Sequence, residues 1–340
     1  MDIPTFSGSR FRLGQQLGTY CREAILKEQK TCQTQPPPLP QNELSAALIA
    51  GWTLTQQAHP AIAEELRGMS VGAGIPLRDL FLIFYEDLWD LPDSKDTGCT
   101  SMVARRSATG DGSTLVGHNN DMHVTASKSI LIRLQPEDGP EVLAMAFTEG
   151  TLSVGANSHG LVLVGNQLTS SDVKPGIPRF ITTRALLDAK TLEEGIGICM
   201  DPRRASSYNN ILVDATGRVA DVEGSGTSGK LIPVINDTLS HSNHYIHPRM
   251  LRFEMKEDKG SSLLRLQRSR NLLKEKHGQH TLQTFQDILR DHEGYPGSIC
   301  RHGGKDEVVT GCSVIVEVEK RILWYCPKTP CRGIYQAVSY

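Results

Sequence analysis

The spacing of apolar residues changes character once along this chain. Up to about residue 98 it is helical. Phe11 to Lys30 reads as one amphipathic stretch, ended by QTQPPPLPQ, whose consecutive prolines forbid a helix. Asn42-Glu43 opens a second periodic segment reaching about Arg67, with Leu44, Ala47, Leu48, Trp52 and Leu54 at its apolar positions. Pro60 inside it predicts a kink or a split. Ile75-Pro76 precedes a third helix over roughly Leu77 to Asp90, and the polar LPDSKDTG follows as a connector.

After Gly98 the runs become short and either alternating or wholly apolar: CTSMVARR, STLVGHNN, SILIRLQP, VLAMAF, LSVGAN, GLVLVGNQ. ATGDGS, EDGP and NSHG punctuate them, which predicts a series of antiparallel hairpins. Helices are expected at about Pro178–Lys190 and Leu192–Met200, then strands in NNILVDA, RVADVEG and KLIPV. More helix between roughly Ser261 and His292 precedes closing strands in VVTGCSVIVEVE, RILWYC and GIYQAV. Helices and antiparallel strands in separate blocks imply an α+β layered domain. No internal repeat interrupts it.

Composition narrows the partners. Lys plus Arg is 36 and Asp plus Glu is 38, a net charge of −2 that argues against nucleic acid as a partner. No apolar run is long enough for a membrane span. MDIPTFSGSRFRLG has no basic start followed by an apolar core, so no secretory signal is expected and a cytoplasmic location is. The eight cysteines, at 21, 32, 99, 199, 300, 312, 326 and 331, are too sparse for a disulfide scaffold and read as free thiols.

Three motifs carry less than they promise. Gly224 to Lys230, GSGTSGK, imitates a phosphate loop, but Leu231 stands where Ser or Thr should hold magnesium, and strand follows. It reads as a β-turn. His241, His244 and His247 have helical spacing but lie between a strand and a proline with no carboxylate or cysteine at a ligand-like interval, so no metal site is expected there. Cys326 and Cys331 in CPKTPC read as two unrelated thiols in a turn.

The junction Asp96-Thr97-Gly98-Cys99-Thr100-Ser101 is different, because it stands where helix hands over to strand. One reading is a buried cysteine opening a strand. The other is self-cleavage, in which the thiol attacks the carbonyl before it and water opens the thioester. A glycine there removes the Cβ that would crowd the attacked carbonyl and tolerates strained dihedrals. Cleavage would leave Cys99 with a free α-amine, of ordinary pKa near 8, beside its own thiol. Nucleophile and general base would then sit on one residue.

GCTS resembles the processing site of the acyl-coenzyme A:isopenicillin N (6-aminopenicillanic acid) acyltransferase family, N-terminal-nucleophile (Ntn) enzymes of the peptidase C45 type. Other blocks resemble that family in the same order: FRLGQQLGTY, RGMSVGAGIPLRDLFLIFYEDL, LVGHNNDM, VGANSHGLVLVGNQL, LSHSNHY and YPGSICRH. The resemblance extends to the insect β-alanyl-dopamine hydrolase. It implies an αββα Ntn-hydrolase sandwich, cut into residues 1–98, a helical small subunit, and 99–340, the catalytic large subunit, which remain partnered as one domain. It implies Cys99 as nucleophile and Asp121 as the carboxylate that orients the released amine. Arg301 would pair with a carboxylate near the nucleophile or hold substrate. Asn243 and Asn166 resemble the neutral amide donors of an oxyanion hole. One departure is local: the family's fungal members carry an aromatic between the Asn and Asp of LVGHNNDM, where this chain has Asn120.

The implied reaction is attack on an amide or thioester carbonyl, an acyl-Cys99 intermediate, and release to water or an amine. The substrate would be a small N-acyl compound, a β-alanyl amine or a penicillin-like amide. No metal or bound cofactor is expected, and a coenzyme A thioester enters only as co-substrate. Two rivals stand beside this reading. A choloylglycine or penicillin-V-acylase type amidase normally starts close to its nucleophile, whereas about a hundred residues precede Cys99 here. A non-catalytic binding protein keeping the fold would never cleave.

Overall fold

A computed structural model describes residues 2–89, 98–126, 128–255, 259–304 and 307–340. Most of the connector, with Asp96 and Thr97, lies outside them, as does the expected helix end at Asp90; Gly98 and Cys99 are described.

A short strand, β1 (Thr5–Gly8), comes first, so the segment expected to be helical also donates to a sheet. Ser9 then starts α1 (Arg10–Tyr20), its side chain accepting from the Arg12 N–H. A break at Cys21 separates α1 from α2 (Arg22–Thr34). Pro60 splits the next segment into α3 (Gln41–Ala58) and α4 (Pro60–Ala73), occupying the first helical position where its missing N–H costs nothing. α5 (Leu77–Ile83) is shorter than expected and hands over to a 3-10 turn at Glu86–Trp89. Helices α1 and α4 are the closest pair, because a Cβ on Gly14 or Gly18 would strike the α4 backbone and one on Gly68 or Gly72 the α1 backbone. Arg184 forks onto Glu65 of α4 with 2.8 Å bonds from Nε and Nη2.

The strands that follow are β2 (Gly98–Arg106), β3 (Gly112–His123), β4 (Ser129–Pro136), β5 (Val142–Phe147), β6 (Leu152–Asn157) and β7 (Val162–Gln167). Next come α6 (Arg179–Asp188), α7 (Leu192–Cys199), β8 (Tyr208–Val213), β9 (Val219–Gly224), β10 (Gly229–Ile232) and β11 (Thr238–His241). The chain closes with α8 (Gly260–Glu275), α9 (Leu282–Leu289), β12 (Val308–Glu317), β13 (Ile322–Cys326) and β14 (Gln336–Ser339). Among the described residues they form an eight-stranded sheet, β1-β4-β5-β6-β7-β8-β9-β10, and a six-stranded one, β11-β2-β3-β12-β13-β14.

Three apolar layers fix the stacking. Val103, Val116 and Val314 of the small sheet pack with Leu143, Val154 and Ile211 of the large one, so the sheets lie face to face. Leu13, Leu66 and Leu186 cover the outer face of the large sheet against Ile132 and Leu163. Leu272, Leu273, Phe285 and Ile288 cover the outer face of the small sheet against Met102 and Ile315. This is the αββα sandwich. Strands β5, β6 and β7 are buried almost throughout, which is why their sequences run apolar rather than alternating.

Candidate active site

Cys99 is the second residue of β2, at the sheet end next to the helical segment. Strand alternation puts it on the same face as Ser101 and Val103, toward the other sheet, with Asn120 of β3 directly opposite. Gly98 and Thr100 take the other face, toward α8, and Gly98 is opposite Asp121. Cys99 borders a cavity of about 620 Å³ whose walls include Phe147, Leu152, Phe180, Tyr208, Gln167 and Asn243.

The backbone of Cys99 is gripped on both sides. Its N–H donates to Oδ1 of Asn243 at 2.7 Å, and its carbonyl accepts from Nη1 of Arg265. Nη1 also donates to Thr100 Oγ1 at 3.1 Å, and Nη2 donates to Asn243 Oδ1 at 2.9 Å. Two donors meeting one oxygen fix the orientation of the Asn243 amide. Its Nδ2 donates to the Gln167 carbonyl at 3.0 Å, leaving a second amide hydrogen to offer. The Asn243 backbone is in turn held by Ser262 of α8, whose hydroxyl accepts its N–H at 2.8 Å.

Asp121 lies behind Cys99, buried, with Oδ1 accepting from Thr310 Oγ1 at 2.6 Å and Oδ2 3.9 Å from Arg265 Nε. Arg301 stands one step further back. Its N–H donates to the same Thr310 hydroxyl at 2.9 Å, and its Nη1 donates to Ser261 Oγ at 3.1 Å. Burial, and then the Asp121 charge, push the Cys99 thiol up to about 12, with Arg265 opposing. As folded, this thiol is neutral near pH 7.

Gly98 is required for space rather than for its dihedrals. A Cβ there would lie 2.6 Å from Nη2 of Arg265 and 3.2 Å from Asn243 Oδ1, while Gly98 is absent from the left-handed glycines. The structure thus brings Gly98, Cys99, Asp121 and Asn243 to one cavity and places Arg301 behind them. Asn166 does not line it. It sits fully buried on β7 opposite Asn209, with neither amide atom bonded to protein.

Arg265 is the residue the sequence reading missed. A signal existed: in α8 the buried positions are Ser261, Ser262, Arg265, Leu266, Ser269, Leu272 and Leu273, so one arginine sits on a stripe that should be apolar. The histidines at 241 and 244 turn to separate partners. His241 meets Glu223 at 2.9 Å, and His244 meets Ser262 Oγ at 2.7 Å. The GSGTSGK turn joins β9 to β10, pinned by the Asp172 carboxylate, which accepts from the N–H groups of Gly226 and Thr227 at 2.9 Å each.

Residues 107–331 match the acyl-coenzyme A:6-aminopenicillanic acid acyl-transferase family, well over half of the chain. The chain belongs to that family. Its chemistry is therefore amide hydrolysis or acyl transfer. The matched stretch contains Asp121, Asn166, Asn243, Arg265 and Arg301 and begins after Cys99.

Among solved structures the chain is similar to a mutant conjugated bile acid hydrolase from Clostridium perfringens, at 14% identity and TM-score 0.49, covering 71% of this chain and 92% of that one. It is also similar to a Caenorhabditis elegans ortholog of N-acylethanolamine-hydrolyzing acid amidase, at 12% identity and TM-score 0.47, covering 65% and 93%. Penicillin V acylase from Agrobacterium tumefaciens matches at 12% identity and TM-score 0.42, covering 67% and 82%. None reaches 0.5, and the fold assignment rests on this chain's own layers and strand order. No helix among the described residues is long and apolar enough to cross a membrane.

Proposed function

We propose that this acyl-transferase family member cuts itself between Gly98 and Cys99 and then uses Cys99 to open small N-acyl amides, passing the acyl group to water or an amine. The observation that carries this is the double grip on the Cys99 peptide beside a cavity, by Asn243 at its N–H and Arg265 at its carbonyl. In the first step the thiol sulfur bonds to the Gly98 carbonyl carbon, the C–N bond breaks, and the thiol proton passes to the departing nitrogen. Water then opens the thioester. The nitrogen becomes an α-amine still facing Asn243 Oδ1, and it supplies the base that the neutral, buried thiol lacks. Asp121 favours the charged form of that amine by Coulomb attraction. Arg184 and Glu65 would keep the two pieces together, since this buried pair joins α4 of one to α6 of the other.

The cavity wall favours one substrate class. Glu149, only 9% exposed, places a carboxylate among the lining residues. That suits a cationic acyl group, such as a β-alanyl amine, better than one bearing its own carboxylate. A coenzyme A thioester would act as a second acyl donor.

Edman sequencing of active protein tests the processing step. We expect CTSMV as a new N-terminus and two pieces of roughly 11 and 27 kDa, for residues 1–98 and 99–340. Cys99→Ala should stay intact and inactive. Full activity from an uncut chain sinks the proposal. A panel of β-alanyl amines, other N-acyl amines and penicillins, with and without coenzyme A thioesters, then fixes the substrate class.

A further inference from the structure

Four side chains from three separated stretches converge away from the cavity. His292 follows α9, Cys300 and His302 flank Arg301 on the approach to β12, and Cys331 lies in the connection from β13 to β14. One ligand atom from each lies within 4.8 Å of all the others. His292 Nε2 and His302 Nε2 are 2.6 Å apart, Cys331 Sγ is 3.4 Å from His302 Nε2, and Cys300 Sγ is 3.8 Å from it. Cys326, read from the sequence as unrelated to Cys331, is not one of the four. Cys326 instead donates to the Lys328 carbonyl at 3.3 Å.

We propose that His292, Cys300, His302 and Cys331 form a structural zinc site. Tetrahedral zinc, with nitrogen at about 2.0–2.1 Å and sulfur at about 2.3 Å, needs ligand–ligand edges of roughly 3.3–3.8 Å. The two sulfur–nitrogen distances to His302 already lie at that length, the histidine pair has to open, and the remaining pairs lie within 4.8 Å. Two thiolates and two neutral imidazoles balance a divalent cation, so the loaded site is neutral and needs no counter-charge at the half-buried place it occupies. Loading releases both thiol protons to solvent. Two soft sulfurs with two imidazoles exclude magnesium and calcium, which take oxygen ligands. Nδ1 of His302 has no protein partner, so this edge of the site lacks the outer support that metal-bound histidines usually have.

The spacing explains why the site is invisible in the sequence. Cys300-x-His302 is too close to read as a zinc-finger pair, and Cys331 arrives only through the β12–β13 hairpin. Its consequence is positional. Arg301 lies between two ligands, so the ion would lock the segment that presents its guanidinium to Ser261. Arg301 is otherwise carried by a stretch with no helix or strand of its own.

The test does not depend on acyl chemistry. Full-length protein, expressed with zinc in the medium and purified under reducing conditions, is assayed by plasma mass spectrometry. We expect one zinc per chain. Exchange for cobalt(II) should give tetrahedral d–d bands and a thiolate charge-transfer band. His292→Ala and Cys331→Ser alter surface positions that the fold tolerates, and each should lower metal affinity at least about tenfold. His277→Ala, an exposed histidine elsewhere, should keep full zinc. Chelation of wild type should lower its melting temperature by several degrees, because the ion binds only the folded arrangement. Zinc-free wild type, undiminished zinc in Cys331→Ser, or a Cys300–Cys331 disulfide in peptide maps of the reduced preparation would overturn the assignment.

Discussion

The two faces of the β2–β3 pair hold the site between them, and they are built differently. The face toward α8 is charged: Asp121 and Arg265 are both buried there, with Thr100, Thr310 and Ser261 filling the remaining hydrogen bonds. On the face toward the other sheet stand Cys99, Asn120, Ser101 and His118, none of them charged near neutral pH as folded. Arg265 acts on the Cys99 backbone from one face, while the Cys99 thiol faces the cavity, whose wall carries charges of its own in Asp121 and Glu149. One expectation orders the rest: damage on the charged face should be severe, and damage on the neutral face graded.

Arg265 should show the largest effect. Arg265→Ala removes a buried positive charge beside the Asp121 carboxylate and releases both the Cys99 carbonyl and Asn243. Breaking a buried pair from one side costs about 3–5 kcal/mol. We expect a lower melting temperature and no processing. Arg301→Ala should process more slowly with a smaller loss of stability than Arg265→Ala, because the Arg301 backbone N–H that holds the Thr310 hydroxyl beside Asp121 survives the substitution. Denaturant melts and gels of both variants check this. Equal effects of the two would erase the ranking.

Asn243 and Asp121 come next. Asn243→Ala removes the acceptor of the Cys99 N–H and one amide donor, and turnover should fall on the order of 10²–10³-fold with KM nearly unchanged. Asn243→Asp should be worse, since a carboxylate would repel a developing oxyanion. Asp121→Asn keeps the shape and removes the charge, for a loss on the order of 10²-fold. Should kcat hold and KM rise instead, these residues merely bind substrate.

Legibility in the sequence follows the same division. The alternation of GCTSMVARR and the register of LVGHNNDM are strand-level facts, so Cys99, Asp121 and the α-then-β order were readable locally. The role of Gly98 was read half correctly, since its missing Cβ matters but the group it makes room for is a guanidinium from α8. Arg265 and Thr310 reach the site only after α8 and β12 have packed, and the one trace of this along the chain is the arginine on the buried stripe of α8. Asn166, from a block matched in order, is buried on β7 beside the cavity-lining Gln167 without lining the cavity itself. The His292–Cys331 cluster went unread, because its members come from three separated stretches of the chain.

The neutral face makes a pH prediction. His118 is buried, and burial lowers its pKa to about 3. Its Nδ1 is 3.0 Å from Ser101 Oγ, and Nε2 has no partner. The folded value lies below the unfolded one, near 6.5, so the unfolded chain binds the proton first. Stability from this group is present in full above about pH 6.5 and is lost as pH falls toward about 3. At pH 5 the loss is about 2 kcal/mol. Urea melts of wild type and His118→Gln should converge on acidification from pH 7 to 5. Parallel curves would mean that His118 is charged when folded.

Asn120 should give the smallest effect, and the most specific one. It faces Cys99 across the strand pair on the cavity side, where the family's fungal members carry an aromatic. Strand alternation puts its side chain on the face opposite Asp121, so the charged face should not register its loss. Asn120→Phe adds apolar volume beside the thiol and removes a polar group, without changing a charge. Processing should proceed at the wild-type rate, since the Cys99 peptide keeps its grips on Asn243 and Arg265. Substrate preference should move instead: kcat/KM for bulky polar acyl groups falls and that for short apolar ones rises, each within about tenfold, the scale of a methylene or two in a pocket. Competition assays with a graded series of N-acyl amines measure the ratio. An unchanged ratio with slowed processing would put Asn120 among the groups that position the peptide, and the separation of the two faces would fail at the residue nearest the nucleophile.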